Sequence, residues 1–478
     1  MSTRLVWLRR DLRIADNPAL SAAHAAGGPP ILLYVLDPEG EGCGAPGAAA
    51  RWWLHGSLAA LASEVARRGG TLLHRRGPAE RIVPEIAREA GAACVHWNAV
   101  AEPDARRTEE RVAGALGRLG IASEIGSADT LYAPGSVLAK AGTPFQVFTA
   151  FWRAARASGL PEAPLAAPAC LAAPAGLAQG ETLDSLALLP RRPDWAAGLR
   201  TAWTPGEAPA RARLARFLDE ADRYAAERDR PAAEAGSRLS PHLRFGEISV
   251  RTVFHAVHGA MAEGRLAREP AERFLAELGW RDFARHLLTA FPSLGDAPLK
   301  SAFAAFPWRE DRAGLEAWRR GRTGYPIVDA GMRELWRTGF MHNRVRMIAA
   351  SFLVKHLLVN WREGAAWFLD TLVDADLASN AINWQWVAGC GTDAAPYFRI
   401  FNPVLQGEKL DGEGTYVRRW VPELTRLPAR WVHRPFEADP ELLAGCGVRL
   451  GETYPLPLVE HRAARERALA AFARVKAG

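Results

Sequence analysis

Short apolar runs alternate with amphipathic stretches over residues 1–130. "RLVWLRR" (4–10), "PILLYVLD" (30–37), "TLLHRRG" (71–77) and "ACVHWNAV" (93–100) read as strands. Between them, "WWLHGSLAALASEVARR" (52–68) and "AERIVPEIAREA" (79–90) repeat apolar residues at i, i+3 and i+4, the period of a helix with one buried face. Strands that alternate with helices predict a parallel, Rossmann-like α/β sheet. No G-x-G-x-x-G follows the first strand, so the usual dinucleotide fingerprint is missing from the first strand-to-helix turn. Residues 131–209 read as a connector, richest in Pro, Ala and Gly in "GLPEAPLAAPACLAAPAGLAQG" and "LLPRRPDW". Residues 210–478 carry helical periodicity almost throughout, as in "PAERFLAELGWRDFARHLLTAF" and "GYPIVDAGMRELWRTG". The fold expected is therefore an α/β N-terminal domain plus an all-α C-terminal domain.

Charge is unevenly spread. Residues 1–130 balance 15 basic against 15 acidic side chains, so the whole net charge of +7 lies in the rest of the chain. A basic helical half points to an acidic partner such as nucleic acid. No apolar run reaches the roughly 20 residues of a membrane span. The N-terminus "MSTRLVWLRRDLR" puts charge where a signal peptide has its apolar stretch, so a cytoplasmic protein is expected. Cys43, Cys94, Cys170, Cys390 and Cys446 are far apart and show no C-x-x-C, so neither disulfides nor a metal site are expected.

Aromatic and polar residues cluster in the helical half. In "ASNAINWQWVAG" (378–389), Asn380 and Trp384 share a helical face, while Trp386 lies about 200° round from Trp384. Upstream, "DADLASN" places Asp374 and Asp376 at the helix start, where carboxylates cap N–H groups or receive the edge of a ring. "AELGWRDF" sets Glu277, Trp280 and Arg281 within about one turn: a carboxylate, a stacking plane and a phosphate fork. "EAGSRLSPHLRFGEIS" offers Gly236, Ser237, Arg238, Leu239 and Ser240 as a turn able to bind phosphate. No H-E-x-x-H or G-x-S-x-G is present, so hydrolytic and metal chemistry lack support. Polar groups around aromatic surfaces suit a cofactor that carries the hard chemistry itself.

Taken in order, "LVWLRRDLRIADNPAL", "GSRLSPHLRFGEIS", "TGYPIVDAGMREL", "MHNRVRM", "NWREG", "DADLASN", "NWQW" and "GTDAAPYFRIFNPVLQGEKLD" resemble the photolyase/cryptochrome family over nearly the whole chain. The resemblance implies an antenna domain over 1–130 and a helical FAD- and DNA-binding domain over 210–478. By position, Tyr224 and Gly236 to Ser240 match the FAD phosphate region. Glu277, Arg281, Asn343, Arg346, Asp374, Asp376 and Asn380 match positions lining flavin and adenine. Trp308, Trp361 and Trp384 match the three-tryptophan electron relay. Trp280, Trp386 and Met347 match the lesion pocket, and Arg228, Arg344 and Arg399 match DNA contacts, with Arg281 and Asn343 also beside the substrate.

Within the family, Asn380 is the amide of photolyases, where plant cryptochromes have Asp and many animal ones Cys. Asn343 and Met347 stand where (6-4) photolyases carry catalytic histidines, although His342 is adjacent. Only Cys390 and Cys446 follow residue 200, too few for an iron–sulfur relative. The resemblance therefore implies a monomeric enzyme that repairs cyclobutane pyrimidine dimers in UV-damaged DNA. A cryptochrome-type photoreceptor is the alternative. Asp104 and Ala105 replace an Asn-Glu pair that holds folate in some relatives. "AARWWLHGSLAAL" instead resembles a bacterial subgroup that binds 5,10-methenyltetrahydrofolate by another route, and that antenna is the one expected.

Overall fold

The structure is a computed structural model, and it describes residues 3–27, 30–172, 180–392 and 398–477. Part of the "GTDAAPYFRIFNPVLQGEKLD" motif, residues 393–397, lies outside the described residues. The chain forms two compact units, each assembled from several segments. The first is Met1–Ala225, Ser237–Gly295 and Val373–Ser379; the second is Ala226–Gly236, Asp296–Leu372 and Asn380–Gly478.

A five-stranded parallel sheet begins the first unit: β1 (Thr3–Leu8), β2 (Pro30–Leu36), β3 (Leu72–Arg76), β4 (Ala92–Ala99) and β5 (Ala122–Ser127), in spatial order β3-β2-β1-β4-β5. Period-2 alternation sends Leu5, Trp7, Ile31, Leu33, Val95 and Trp97 to one face. There they form a core with Ile82 and Val83 of the helix Ala79–Glu89 and Val112 and Leu116 of the helix Pro103–Arg118. The helices Pro18–Ala25 and Ala48–Arg67 also pack on the sheet. Sequence periodicity missed β5, because this edge strand leaves five of its six residues exposed and offers no apolar run.

Parallel sheets of this order bind ligands beyond the strand carboxyl ends, where the order reverses, here between β1 and β4. In this chain the loop after β1 fills that place. Asn98 Nδ2 donates to Asp11 at 2.6 Å and to Asn17 Oδ1 at 2.8 Å. Arg9 donates to the Asn98 carbonyl at 2.7 Å and to Glu109 at 2.6 Å. These buried groups bond one another near the place where ordinary sheets of this kind hold a dinucleotide.

The helical part of the first unit builds a second core around Phe217, Tyr224, Phe254, Phe274 and Leu275. The helix Phe148–Ala157, inside the segment read as connector, packs on the long helix Arg268–Ala290. Gly279 makes this close approach possible: a Cβ there would meet the Trp152 indole at 2.6 Å.

The second unit is helical among its described residues, apart from isolated bridges. The helix Trp361–Thr371 packs on the helix Leu377–Ala388, whose residues from Asn380 onward belong to this unit. Gly364 lets the two touch, since a Cβ there would fall against the Trp384 ring, 2.6 Å from Cζ3. No helix among the described residues is long and apolar enough to cross a membrane.

Candidate flavin and nucleic-acid site

In the first unit, the turn before the helix Ser240–Arg244 takes a left-handed conformation at Arg238, whose φ is 52°. Left-handed backbone is rare away from glycine and costs energy that the surrounding fold must offset. Part of the compensation is the Arg238 guanidinium lying 4.4 Å over the Trp203 ring. Ser237 Oγ accepts the Leu239 N–H at 3.3 Å, and Ser240 Oγ donates to Asp374 at 2.7 Å. The Ser240 bond ties the small-residue turn to the acidic turn, two motifs 134 residues apart.

Asp376 is nine-tenths buried. It accepts Arg285 Nη2 at 2.9 Å and caps the Ser379 N–H at 2.8 Å. Burial alone would raise this carboxyl, but Arg285, Arg244 and Arg281 outweigh it and hold it well below the usual carboxylate range. Asp129 completes the cluster by pairing with Arg281 and Arg285, and is likewise held down against burial. The Arg281 guanidinium engages Asp129 and the Leu243 carbonyl. Asp129 and Arg285 were missed. Arg285 could have been found as the residue one turn after Arg281, whereas Asp129 lies in a polar turn without pattern.

Trp280 is half-buried and stacks on Phe148, with centroids 3.8 Å apart and planes 10° from parallel. Next to it, Asp282 accepts the N–H groups of Leu131 and Tyr132 at 2.8 and 3.0 Å. Burial pushes this carboxyl up to about 7, against those two donors and the nearby arginines. Glu277 is half-buried on the same helix. Tyr224 packs edge-on against Phe217 and Phe274 in the core.

The second unit holds the other group. Asn380 Nδ2 donates to the Ala365 carbonyl at 3.0 Å. A carbonyl only accepts, so this contact fixes which end of the amide is nitrogen. Trp384 is 2 % exposed and meets Phe368 and Trp318 edge-on at 5.1 and 6.3 Å. Trp318, fully buried and bonded to the Ala349 carbonyl at 2.9 Å, was not anticipated. Trp361 is buried, and Trp308 is half-buried beside Phe306 at 4.3 Å. The helix Leu377–Ala388 forms as expected, with Trp384 inside and Trp386 half-buried. Gln385 is fully buried and explains its own presence: Oε1 accepts the Leu299 N–H at 2.9 Å, and Nε2 donates to the Ala297 carbonyl at 2.8 Å. Asn383 is exposed.

Arg344 makes a two-pronged ion pair with Asp229, at 2.9 and 2.8 Å, and approaches Met347 Sδ at 3.9 Å. His342 accepts the Arg344 N–H and bonds the Arg228 carbonyl at 2.9 Å; burial lowers its pKa to about 4, so it is neutral at pH 7. Arg228 lies 3.6 Å from Asp229. Arg346 donates to the Met341 carbonyl at 2.7 Å and lies over Phe340. Asn343 and Arg399 are exposed, and Gly236 has open space where a Cβ would point.

Comparison with known proteins gives these clusters a context. Residues 4–169 match the family described as DNA photolyase, and residues 274–474 match the FAD binding domain of DNA photolyase. The chain is 50% identical over 473 residues to the deoxyribodipyrimidine photo-lyase of Agrobacterium fabrum, covering 99% of this chain and 98% of that protein. It belongs to the photolyase/cryptochrome family. The crystal structure of a bacterial class III photolyase from Agrobacterium tumefaciens superposes with a TM-score of 0.97 at 50% identity, covering 100% of this chain and 98% of that one. Cryptochrome-1 of Arabidopsis thaliana is 40% identical, covering 95% of this chain and 68% of that protein.

Membership brings with it the family's FAD-binding domain. The residues fit such a cofactor. A turn with two serines and an arginine suits phosphates, and it is tied by Ser240 to Asp374. Buried carboxylates at Asp374 and Asp376 and the oriented amide of Asn380 suit the N–H and carbonyl edges of rings.

Proposed function

We propose that this chain repairs cyclobutane pyrimidine dimers in UV-damaged DNA by light-driven electron transfer, acting as a deoxyribodipyrimidine photo-lyase. Fully reduced FAD, when bound, supplies the photoexcited electron. Residues 1–130 serve as the antenna domain, 131–209 as connector and 210–478 as the FAD- and DNA-binding domain. Ser237, Arg238 and Ser240 bind the cofactor phosphates, with Gly236, Leu239 and Tyr224 shaping that region. Asp374, Asp376, Arg281, Asn343 and Arg346 line its rings. Asn380 presents a neutral amide that stabilises reduced flavin without supplying a proton.

Arg228, Arg344 and Arg399 follow the DNA phosphates, which makes binding salt-dependent. Base flipping is an established property of photolyases, so that step follows from the family and not from the geometry. Trp280 offers an indole plane to the damaged base and Trp386 another, with Met347 as a soft contact. Glu277 hydrogen-bonds the pyrimidines and stabilises charge that develops on them. Trp384, Trp361 and Trp308 relay electrons inward from solvent to restore the reduced cofactor. The antenna is 5,10-methenyltetrahydrofolate, and the protein works as a cytoplasmic monomer.

The observation that carries this reading over a photoreceptor is Asn380, an uncharged amide oriented by Ala365 at the position where plant cryptochromes have Asp. The test uses reduced holoprotein, blue light and oligonucleotides carrying either a cyclobutane dimer or a (6-4) product. Chromatography should show the first restored and the second unchanged. An intact cyclobutane dimer after illumination, with the flavin still reduced, favours the cryptochrome-type photoreceptor.

A further inference from the structure

Three potential metal ligands meet on the sheet of the first unit, apart from the residues given roles above. β4 carries Cys94 and His96 two positions apart, hence on one face. Its parallel neighbour β5 sets Glu124 beside His96 in register. The Cys94 sulfur, a His96 ring nitrogen and a Glu124 oxygen all lie within 4.8 Å of one another, and no other such group of three occurs among the described residues. His96 Nδ1 is 3.4 Å from Glu124 Oε2. Two ligands each about 2.1 Å from one tetrahedral ion would stand about 3.4 Å apart.

A second observation is independent of that spacing. His96 is 1% exposed, yet neither ring nitrogen has a hydrogen-bond partner. A buried imidazole with both nitrogens unsatisfied is costly. A metal cation is a natural partner for the neutral ring.

We infer that Cys94, His96 and Glu124 form a binding site for a borderline-soft divalent cation of the zinc class, with solvent completing the tetrahedron. The mixed sulfur, nitrogen and oxygen donors select such an ion over magnesium or calcium. Solvent has access because Cys94 is half-buried and the Glu124 side chain is 61% exposed. Arg4 on β1 is aligned with Cys94. The thiolate form of Cys94 is the one that would bind metal. Thiolate and carboxylate against one guanidinium leave one net negative charge to attract the cation. The ion would pin β5, the exposed edge strand, to β4. No local sequence signature announced the site, because its ligands come from strands that only the fold makes adjacent.

Tag-free holoprotein with oxidised flavin, freed of metal by a chelator, is titrated with cobalt. The expected result is one cobalt per chain, with tetrahedral ligand-field bands to the red of the flavin and displacement by zinc. Zinc should also raise the melting temperature. Cys94→Ser should abolish the sulfur-to-cobalt charge-transfer band and weaken binding by more than about 10-fold, and Glu124→Gln should weaken it by about 10-fold. Absence of bands in the parent protein, or unchanged bands in Cys94→Ser, overturns the site. Should Cys94→Ser fail to fold, Glu124→Gln at its exposed position decides: unchanged cobalt affinity there overturns the site as well.

Discussion

Replacing Asp376 by asparagine removes one of two carboxylates that pair with Arg281 and Arg285 in the first unit. Asp376 receives Arg285 at 2.9 Å, and the two side chains are 9% and 2% exposed. Asparagine has nearly the same volume and keeps an oxygen for the Ser379 N–H, so no cavity and no lost cap complicate the result. What disappears is the charge. Removing one partner of a buried ion pair costs about 3–5 kcal/mol. Arg285 still holds Asp129 through Nε, which places the expected loss near the lower end, about 3 kcal/mol. Urea unfolding at pH 7 should therefore show a lower midpoint at unchanged m. The pH dependence supplies a second, independent sign. Arginines hold the native Asp376 pKa below its ordinary value, overriding burial. Its contribution is thus present above the unfolded pKa and lost only as pH falls through the lower native one. The parent and the variant should stay apart at pH 4 and converge only in stronger acid. A loss under about 1 kcal/mol, or convergence already near pH 5, would mean that the arginines do not need this carboxylate charged.

Four further outcomes are expected. Gln385→Leu strands the Leu299 N–H and the Ala297 carbonyl, and denaturation should show a loss of about 2–4 kcal/mol, against no change if the glutamine is incidental. Asp282 is raised to about 7 from 3.8 by burial, so its contribution is full below pH 4 and lost as pH rises through 7; Asp282→Asn should remove on the order of 4 kcal/mol from the stability difference between those limits, read from unfolding at several pH values. Trp384→Phe should lose photoreduction of oxidised flavin and keep repair when the flavin is reduced chemically; loss of both would contradict the separate roles. Asp229→Asn releases the Arg344 fork and should tighten DNA binding and steepen its salt dependence, while Arg344→Ala should weaken binding and reduce the salt slope by about one.

Much of the architecture was legible because burial and period coincide. β2 is buried at every position, and its unbroken apolar run announces a central parallel strand. β5 was invisible for the opposite reason: at the sheet edge it needs no apolar face. The helix Phe148–Ala157 lay hidden in a connector defined by composition, although Phe148 stacks directly on Trp280. At the site, helical periodicity correctly separated Trp384 from Trp386. It could not say why Gln385 is buried, because both of its partners are backbone groups 86 and 88 residues away. Asp129 and Asp229 escaped notice on the same ground. A carboxylate that answers a distant arginine leaves no local pattern, so the counter-charges of a site are its least readable part.

Light-driven cleavage of the dimer is the claim on which the rest stands, and it can be watched directly. Anaerobic, fully reduced holoprotein is mixed with an excess of dimer-containing oligonucleotide and illuminated with blue light while ultraviolet absorbance is followed. Absorbance should rise in light, and not in the dark, as pyrimidine double bonds re-form over many turnovers. A flat trace under illumination, with the flavin reduced and the damaged strand bound, would contradict it.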